Sequence, residues 1–384
     1  MEMFDHTKVV RKCILALEPY TCARDSYKTG LLLDANENTL GAPVEVRLAL
    51  GGAAAVEGGA PSARLELERY PDPHQLELKE LYGDWRGVAP ENIFVGVGSD
   101  EAIDLVIRMA CTPGDDGSGD RIITMPPTYG MYKVSAAINS AQIDAVPLTP
   151  AFAIDVDAVL AAVRPNTKLI FVCTPNNPTA NDAAKSSIVA LLEGFQQGIV
   201  VVDEAYADFS DEASWCGAVG TYSNLLVLQT FSKSWGLAGV RCGVAVGTPP
   251  IIACLNAMKA PYNLSRPTSA IVRAALAPAG RAAMLASVDA IKRERERVRT
   301  ALEAMDFVGI VHPSAANFVL FEVLGGAPRA TAVYRMMAES LSVVIRNRST
   351  LSNCEGCLRA TIGGLAAEND QMLAALVEAA KRCA

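Results

Sequence analysis

Between residues 93 and 246 the chain alternates short runs of consecutive apolar, mostly β-branched positions with segments whose apolar residues recur at helical spacing. The runs at 93–97, 122–124, 168–173, 199–202, 225–229 and 242–246 predict strands. Because several are apolar on successive residues rather than alternate ones, they fit strands buried on both faces. That pattern predicts an α/β fold, a mostly parallel central sheet with helices on both sides. Ile103, Val106, Ile107 and Ala110 lie at helical spacing directly after the turn Gly96-Val-Gly-Ser-Asp100, giving a strand, a glycine turn and a helix. A phosphate suits such a helix start, where free N–H groups and the positive end of the dipole face outward.

From about residue 268 the pattern becomes a long helical run through Arg299, then short strands and helices to Ala384. The expected organisation is an N-terminal arm at 1–30, a large domain at 31–265 and a smaller α/β C-terminal domain at 266–384. The glycine-rich stretches 51–60 and 114–119 read as surface loops.

Composition narrows the partners. With 34 Lys and Arg against 42 Asp and Glu, the net charge is −8, which argues against a nucleic-acid surface. The basic run 292–299 is interleaved with Glu294 and Glu296 and reads as a solvated helix face. No apolar run reaches the length of a membrane span, and Met1 to Arg11 lacks the apolar core of a signal peptide, so a cytoplasmic protein acting on small molecules is expected. Ten cysteines are scattered, and only Cys354 and Cys357 form a CxxC pair. Neither a second pair nor His6, His74 or His312 completes a zinc-ligand spacing, so no metal is expected and the pair reads as a turn.

The candidate chemistry centres on Gln229-Thr-Phe-Ser-Lys-Ser-Trp-Gly-Leu-Ala-Gly-Val-Arg-Cys-Gly243. Lys233 can supply an amine for a Schiff base, Thr230 and Ser232 can donate to a phosphate, and Arg241 can meet it with a guanidinium fork. Alone, the segment is equally an ordinary Lys and Arg on a solvated face. Partners appear upstream. Gly198-Ile-Val-Val-Val-Asp203 is an apolar strand ending in a carboxylate, costly unless a cation meets it. A pyridinium nitrogen would do so, and a helix N-cap is the alternative. Cys173-Thr-Pro-Asn-Asn-Pro-Thr-Ala180 ends another strand with two amides, of which Asn177 could donate to a ring oxygen.

Asn-Asn-Pro-Thr, Asp-Glu-Ala-Tyr, and Ser-Lys followed by Arg resemble the fold-type I pyridoxal phosphate aminotransferases. Leu33-Asp-Ala-Asn-Glu-Asn38, Arg69-Tyr-Pro-Asp-Pro73, Gly98-Ser-Asp-Glu101, Pro126-Pro-Thr-Tyr-Gly130, Ala316-Asn-Phe318 and Leu358-Arg-Ala-Thr-Ile-Gly363 narrow the likeness to the histidinol-phosphate aminotransferase family, in order from about Tyr20 to Gly363. The resemblance implies that Lys233 forms the Schiff base with pyridoxal 5'-phosphate and shuttles a proton. It implies that Asp203 pairs with the ring nitrogen, that Asn177 and Tyr206 bond the ring oxygen, and that Tyr129 stacks on the ring. Ser99, Asp100, Thr230, Ser232 and Arg241 would hold the phosphate, with Tyr70 reaching in from a second subunit of a homodimer. Arg359, Arg346, Tyr20 and Asn36 would bind substrate. The implied reaction exchanges the amino group between histidinol phosphate with 2-oxoglutarate and imidazole-acetol phosphate with glutamate. An aromatic amino-acid aminotransferase or a threonine-phosphate decarboxylase of the same fold is the alternative, and a non-catalytic ligand sensor the alternative from another class. The sequence departs from the family pattern at Gly96-Val-Gly98, Thr179-Ala180 and Ser234-Trp235.

Overall fold

Apolar runs too short for helices become the strands of one central sheet. The computed structural model describes residues 12–16, 23–43, 46–47, 55–56, 67–114 and 117–383. A short strand β1 (Leu31–Leu32) precedes β2 (Ile93–Gly96), β3 (Arg121–Thr124), β4 (Gln142–Ala145), β5 (Thr167–Cys173), β6 (Ile199–Asp203), β7 (Leu225–Thr230) and β8 (Gly243–Gly247). The last seven form one sheet in the order β2-β8-β7-β6-β5-β3-β4. Only β8 runs antiparallel to its neighbours. In β2, β6, β7 and β8 almost every residue is buried, as the unbroken apolar runs require of a sheet covered on both sides.

The strand at 142–145 was not expected. It is the edge of the sheet and half-exposed, and its sequence Gln-Ile-Asp-Ala gives no apolar run. Asp144 on it receives two hydrogen bonds from the Arg121 guanidinium, at 2.6 and 2.7 Å, which ties the edge to β3.

A second sheet of β9 (Val308–Val311), β10 (Phe318–Val323), β12 (Arg346–Asn347) and β13 (Cys357–Thr361), in the order β9-β10-β13-β12, lies in the C-terminal part of the chain. The remaining strand, β11 (Val343–Val344), pairs in parallel with β1. Residues 31–32, assigned by sequence to the large domain, are thus joined by their backbone to the C-terminal part.

The long helical run after residue 268 resolves into Arg266–Leu276 and Pro278–Glu303, bent by 76°. Pro278 has no N–H to continue the first helix and disfavours helical geometry at Ala277, which is extended. The second of these helices buries Met284, Val288, Ile291, Arg295, Val298 and Leu302, a stripe at helical spacing. The basic run is therefore not all solvated. Arg295 lies on the buried stripe and donates to the Phe209 and Ala316 carbonyls, while Arg297 and Arg299 pair with Glu294, Asp370, Glu296 and Glu303 outside.

Cys354 and Cys357 are buried thiols of one turn, closed by the Cys357 N–H on the Cys354 carbonyl at 2.9 Å. Of the stretch 51–60 only Ala55–Val56 is described, paired with Val46–Arg47. Among the described residues no single helix is long and apolar enough to cross a membrane.

Candidate active site

Parallel β5, β6 and β7 end at one edge of the sheet, and their register sets the site. Cys173 aligns with Asp203, and Asp203 with Leu228. Two loops and a carboxylate thus emerge side by side, at the strand ends where α/β sheets hold ligands. They open on a cavity of about 280 Å³. Every site residue named from sequence lines it except Tyr70 and Tyr20. Tyr20 lies outside the described residues. Tyr70 is 77% exposed and stacks on Tyr262 at 4.5 Å between ring centroids.

At the floor Asp203 is 2% exposed. It accepts a hydrogen bond from the Tyr132 hydroxyl at 2.7 Å and one from the Ala205 N–H at 3.2 Å. Burial pushes its carboxyl up to about 6, against those two bonds and with help from Asp100 and Glu204. An acid held this far from its ordinary ionisation asks for a cation beside it. The protonated nitrogen of a pyridine ring meets that need, so the floor fits pyridoxal phosphate.

Lys233 approaches from the loop after β7. Its Nζ donates to the Ala35 carbonyl at 2.9 Å and sits 5.8 Å from the centre of the Tyr206 ring. Burial lowers its amine to about 8, and the charges of Arg359 and Arg241 work in the same direction while Glu37 and Asp100 oppose them. About one-tenth of the amine is therefore free as a nucleophile and base at pH 7, far more than for an ordinary lysine.

The anion cradle lies at the start of the helix Gly98–Ala110. Gly98 has φ +71°, and a Cβ there would stand 2.5 Å from Arg241 Nη2, so only glycine lets the guanidinium come this close. Gly243 serves likewise, since its Cβ would meet the Ser99 nitrogen at 2.2 Å. Arg241 donates to the Ser232 hydroxyl at 3.3 Å, and Thr230 donates to the same hydroxyl at 2.9 Å. The Asp100 carboxylate accepts from Tyr129 at 3.0 Å and faces Arg241 at 3.5 Å. Its side chain orients these two groups, which leaves its main-chain N–H as the part suited to a phosphate.

The two amides after β5 divide the work. Asn176 is buried and donates to the Pro127 carbonyl and the Thr179 hydroxyl, holding the loop together. Asn177 faces the cavity, its Oδ1 accepting from Arg359 at 2.7 Å. Ala180, where the family pattern has glycine, sits at φ +66° and is fully buried.

The far wall comes from the second sheet and the segment after β1. Arg346 and Arg359 are register partners on adjacent strands, and Arg348 stands two residues beyond Arg346 on the same wall. Arg359 is buried, stands 5.1 Å over the Phe318 ring, and also donates to the Asp34 carbonyl. Asn36 spends its amide on both sides, donating to the Tyr206 hydroxyl at 3.0 Å and accepting from Thr361 at 3.2 Å. From the cavity lining it thereby ties Tyr206, after β6, to Thr361 at the end of β13.

Sequence reasoning missed Tyr132, Asp34, Ala35, Glu37 and Arg348. Tyr132 lies in the first turn of the helix Met131–Ile138, three residues after Tyr129, and its ring packs edge-on against Tyr129. Ala35 acts through its backbone, which leaves no signal in a residue type.

The family model for aminotransferase class I and II matches residues 28–376. A histidinol-phosphate aminotransferase of Candida maltosa is 43% identical, with 97% of each chain covered. One from Cytophaga hutchinsonii is 41% identical over 96% of this chain and 98% of its own. The crystal structure of the Sinorhizobium meliloti histidinol-phosphate aminotransferase in complex with pyridoxal-5'-phosphate superposes with a TM-score of 0.80 at 24% identity, covering 98% of both chains. A lysine and a buried carboxylate lining one cavity at the ends of parallel strands are what such an enzyme needs, and the chain belongs to the class I and II aminotransferase family.

Proposed function

We propose that this chain transfers the amino group of L-histidinol phosphate to 2-oxoglutarate, giving imidazole-acetol phosphate and L-glutamate, in the histidine biosynthetic step. The observation that carries the substrate is the arginine wall. Arg346, Arg348 and Arg359 line one side of the cavity that also contains Lys233. Guanidinium forks on one wall can share a doubly charged anion, and a phosphate monoester near −2, with three acceptor oxygens, suits them better than one carboxylate. A rigid guanidinium also accepts the carboxylates of glutamate, which the second half-reaction requires.

Bound at this edge, pyridoxal phosphate supplies an aldehyde for the amine and a protonated ring that draws electrons from the substrate α-carbon. The residues of the chain do the rest. Asp203 would keep the ring nitrogen protonated, and the Tyr206 hydroxyl and Asn177, which line the same cavity, would meet the ring oxygen. Arg241, Ser232, Thr230 and the first turn of the helix Gly98–Ala110 would hold the phosphate. With the cofactor bound, the Lys233 amine, its basicity lowered by burial, would be the group able to take a proton from the substrate α-carbon and hold it for return to the substrate. Residues 34–37 line the cavity beside Lys233, whose Nζ is held by the Ala35 carbonyl.

A homodimer accompanies this reading: Tyr70 is exposed and lies outside the cavity of its own chain, as a residue serving a second copy would. Sedimentation at twice the chain mass is expected, and a monomer at working concentrations would refute it. A cytoplasmic location fits the acidic charge and the small, phosphorylated substrate.

The deciding experiment compares amino transfer from histidinol phosphate, phenylalanine and tyrosine to 2-oxoglutarate under identical conditions. Histidinol phosphate should lead in kcat/KM by at least about tenfold, the value of one charged contact. Carbon dioxide release from phosphothreonine, or preference for the aromatic amino acids, would overturn the substrate assignment.

A further inference from the structure

A buried polar network lies behind the cofactor site. The strand pleat sends alternate residues to opposite faces, so Asp203 and Thr230 line the cavity while their neighbours Glu204 and Gln229 point away from it. There the Gln229 amide is fully used. Its oxygen accepts from the Tyr82 hydroxyl at 2.6 Å and from Arg86 Nε at 2.8 Å, and its nitrogen donates to Glu204 at 2.7 Å and Ser214 at 2.9 Å. Two donors on the oxygen and two acceptors on the nitrogen admit only one orientation.

Glu204 is saturated as well, accepting from Ser214 at 2.6 Å and from the Trp215 N–H at 2.8 Å. Arg86 continues the chain to Asp208 at 2.6 Å, and Asp208 accepts from the Ser234 hydroxyl at 2.5 Å. The path begins one residue after Asp203 and ends one residue after Lys233. It therefore links, through side chains, the chain positions next to Asp203 and Lys233, two residues that line the same cavity.

We propose that Glu204, Gln229, Arg86, Asp208 and Ser234 are positioning residues that fix the distance and orientation between Asp203 and Lys233. The inference rests on the assignment of those two residues to the cofactor. None of the five lines the cavity, so none touches cofactor or substrate. Their effect is exerted through the backbone of the two loops. The Ser234 carbonyl also accepts from Asn38 at 3.0 Å, so the lysine loop is gripped by Asp208 and by the segment after β1.

The end of the path nearest Lys233 offers a mild probe. Ser234→Ala removes the hydroxyl that holds the loop to Asp208 but leaves the Arg86–Asp208 pair. Two properties of the purified holoenzyme are then read, the dissociation constant for pyridoxal phosphate and the midpoint of the bound chromophore's absorbance against pH. The melting temperature of the apoprotein is measured alongside. The dissociation constant should rise about tenfold, the loss of one hydrogen bond to a charged group. The titration midpoint should move by about half a pH unit or more, with the melting temperature within a few degrees of wild type. Ser234→Thr, which keeps the hydroxyl, should restore both. A lower melting temperature with unchanged affinity and midpoint would make the network merely structural and overturn the inference. Should Lys233→Ala keep the wild-type spectrum, the site assignment itself fails, a result separate from any shift in Ser234→Ala.

Discussion

Asp203→Asn should make the apoprotein progressively more stable relative to wild type as pH rises, and should destabilise the loaded enzyme. In the apoprotein the carboxyl is buried with only the Tyr132 hydroxyl and the Ala205 N–H for partners, and its ionisation is displaced from 3.8 to about 6. Between those values the folded chain binds a proton that the unfolded chain has released, so stability falls as pH rises through the window and stays low above it. The full displacement corresponds to about 3 kcal/mol at pH 8, and about 1 kcal/mol of it has developed by pH 4.5. Asparagine carries no such penalty. Its amide can accept from Tyr132 but sets an N–H against the Ala205 N–H, a mismatch of about 1–3 kcal/mol that does not vary with pH. The measurable quantity is thus the change with pH: in urea unfolding, the stability of the variant relative to wild type should improve by about 2 kcal/mol between pH 4.5 and pH 8. Loading with pyridoxal phosphate should reverse the order, because the ring N–H gives Asp203 its cation. Parallel pH profiles for the two apoproteins, or a loaded variant as stable as loaded wild type, would refute the reasoning.

Lys233 predicts a second pH effect. With its amine lowered to about 8, roughly one-tenth is unprotonated at pH 7, so the rate of pyridoxal phosphate uptake by the apoprotein should climb about tenfold per pH unit below 8 and then level off. A rate flat from pH 6 to 9 in stopped-flow absorbance would contradict it. Arg359→Lys exchanges a fork that reaches both Asn177 and the Asp34 carbonyl for a point charge, and kcat/KM for both amino donors should fall by about a hundredfold in steady-state assays. Loss for only one donor would show that the two anions do not share this arginine. Gly98→Ala forces a side chain into φ +71° and against Arg241. It should cost about 1–2 kcal/mol of stability and weaken cofactor binding at least about tenfold, both visible in thermal melts with and without cofactor.

How much of this was legible in the sequence depended on whether a residue's role is expressed in its own type. The core strands were readable because burial on both faces demands unbroken apolar runs, and six segments of that kind became β2, β3, β5, β6, β7 and β8 within a residue or two. The edge strand β4 was not, since an edge buries only part of itself and mixes polar with apolar positions. Lys233, Asp203, Asn177 and Arg241 stood out as charges or amides placed where an apolar strand ends, and all four face the cavity. Arg295 was misread for the converse reason: a charge run shows its composition but not which member falls on the buried face of the helix.

The positions that escaped are those whose partners are distant in sequence. Ala35 offers only a carbonyl, to a lysine 198 residues away. The parallel pairing of Leu31–Leu32 with Val343–Val344 joins the two ends of the chain, and two-residue strands carry no periodicity to announce it. The network behind the site is the sharpest case. Gln229, Glu204 and Ser234 each stand beside a residue the chemistry had already marked, and as sequence they read as spacers within Gln-Thr-Phe-Ser-Lys-Ser and Asp-Glu-Ala-Tyr. Once the strands are in register, alternation turns Gln229 and Glu204 toward a second, buried face, where Arg86 from a helix more than a hundred residues upstream bonds Gln229 and, through Asp208, reaches Ser234 in the loop beyond. A motif of alternating residues on a two-sided sheet thus addresses two environments at once. The side facing the cofactor is recognisable by its chemistry, and the side that sets its geometry becomes recognisable only when the fold brings its partners together.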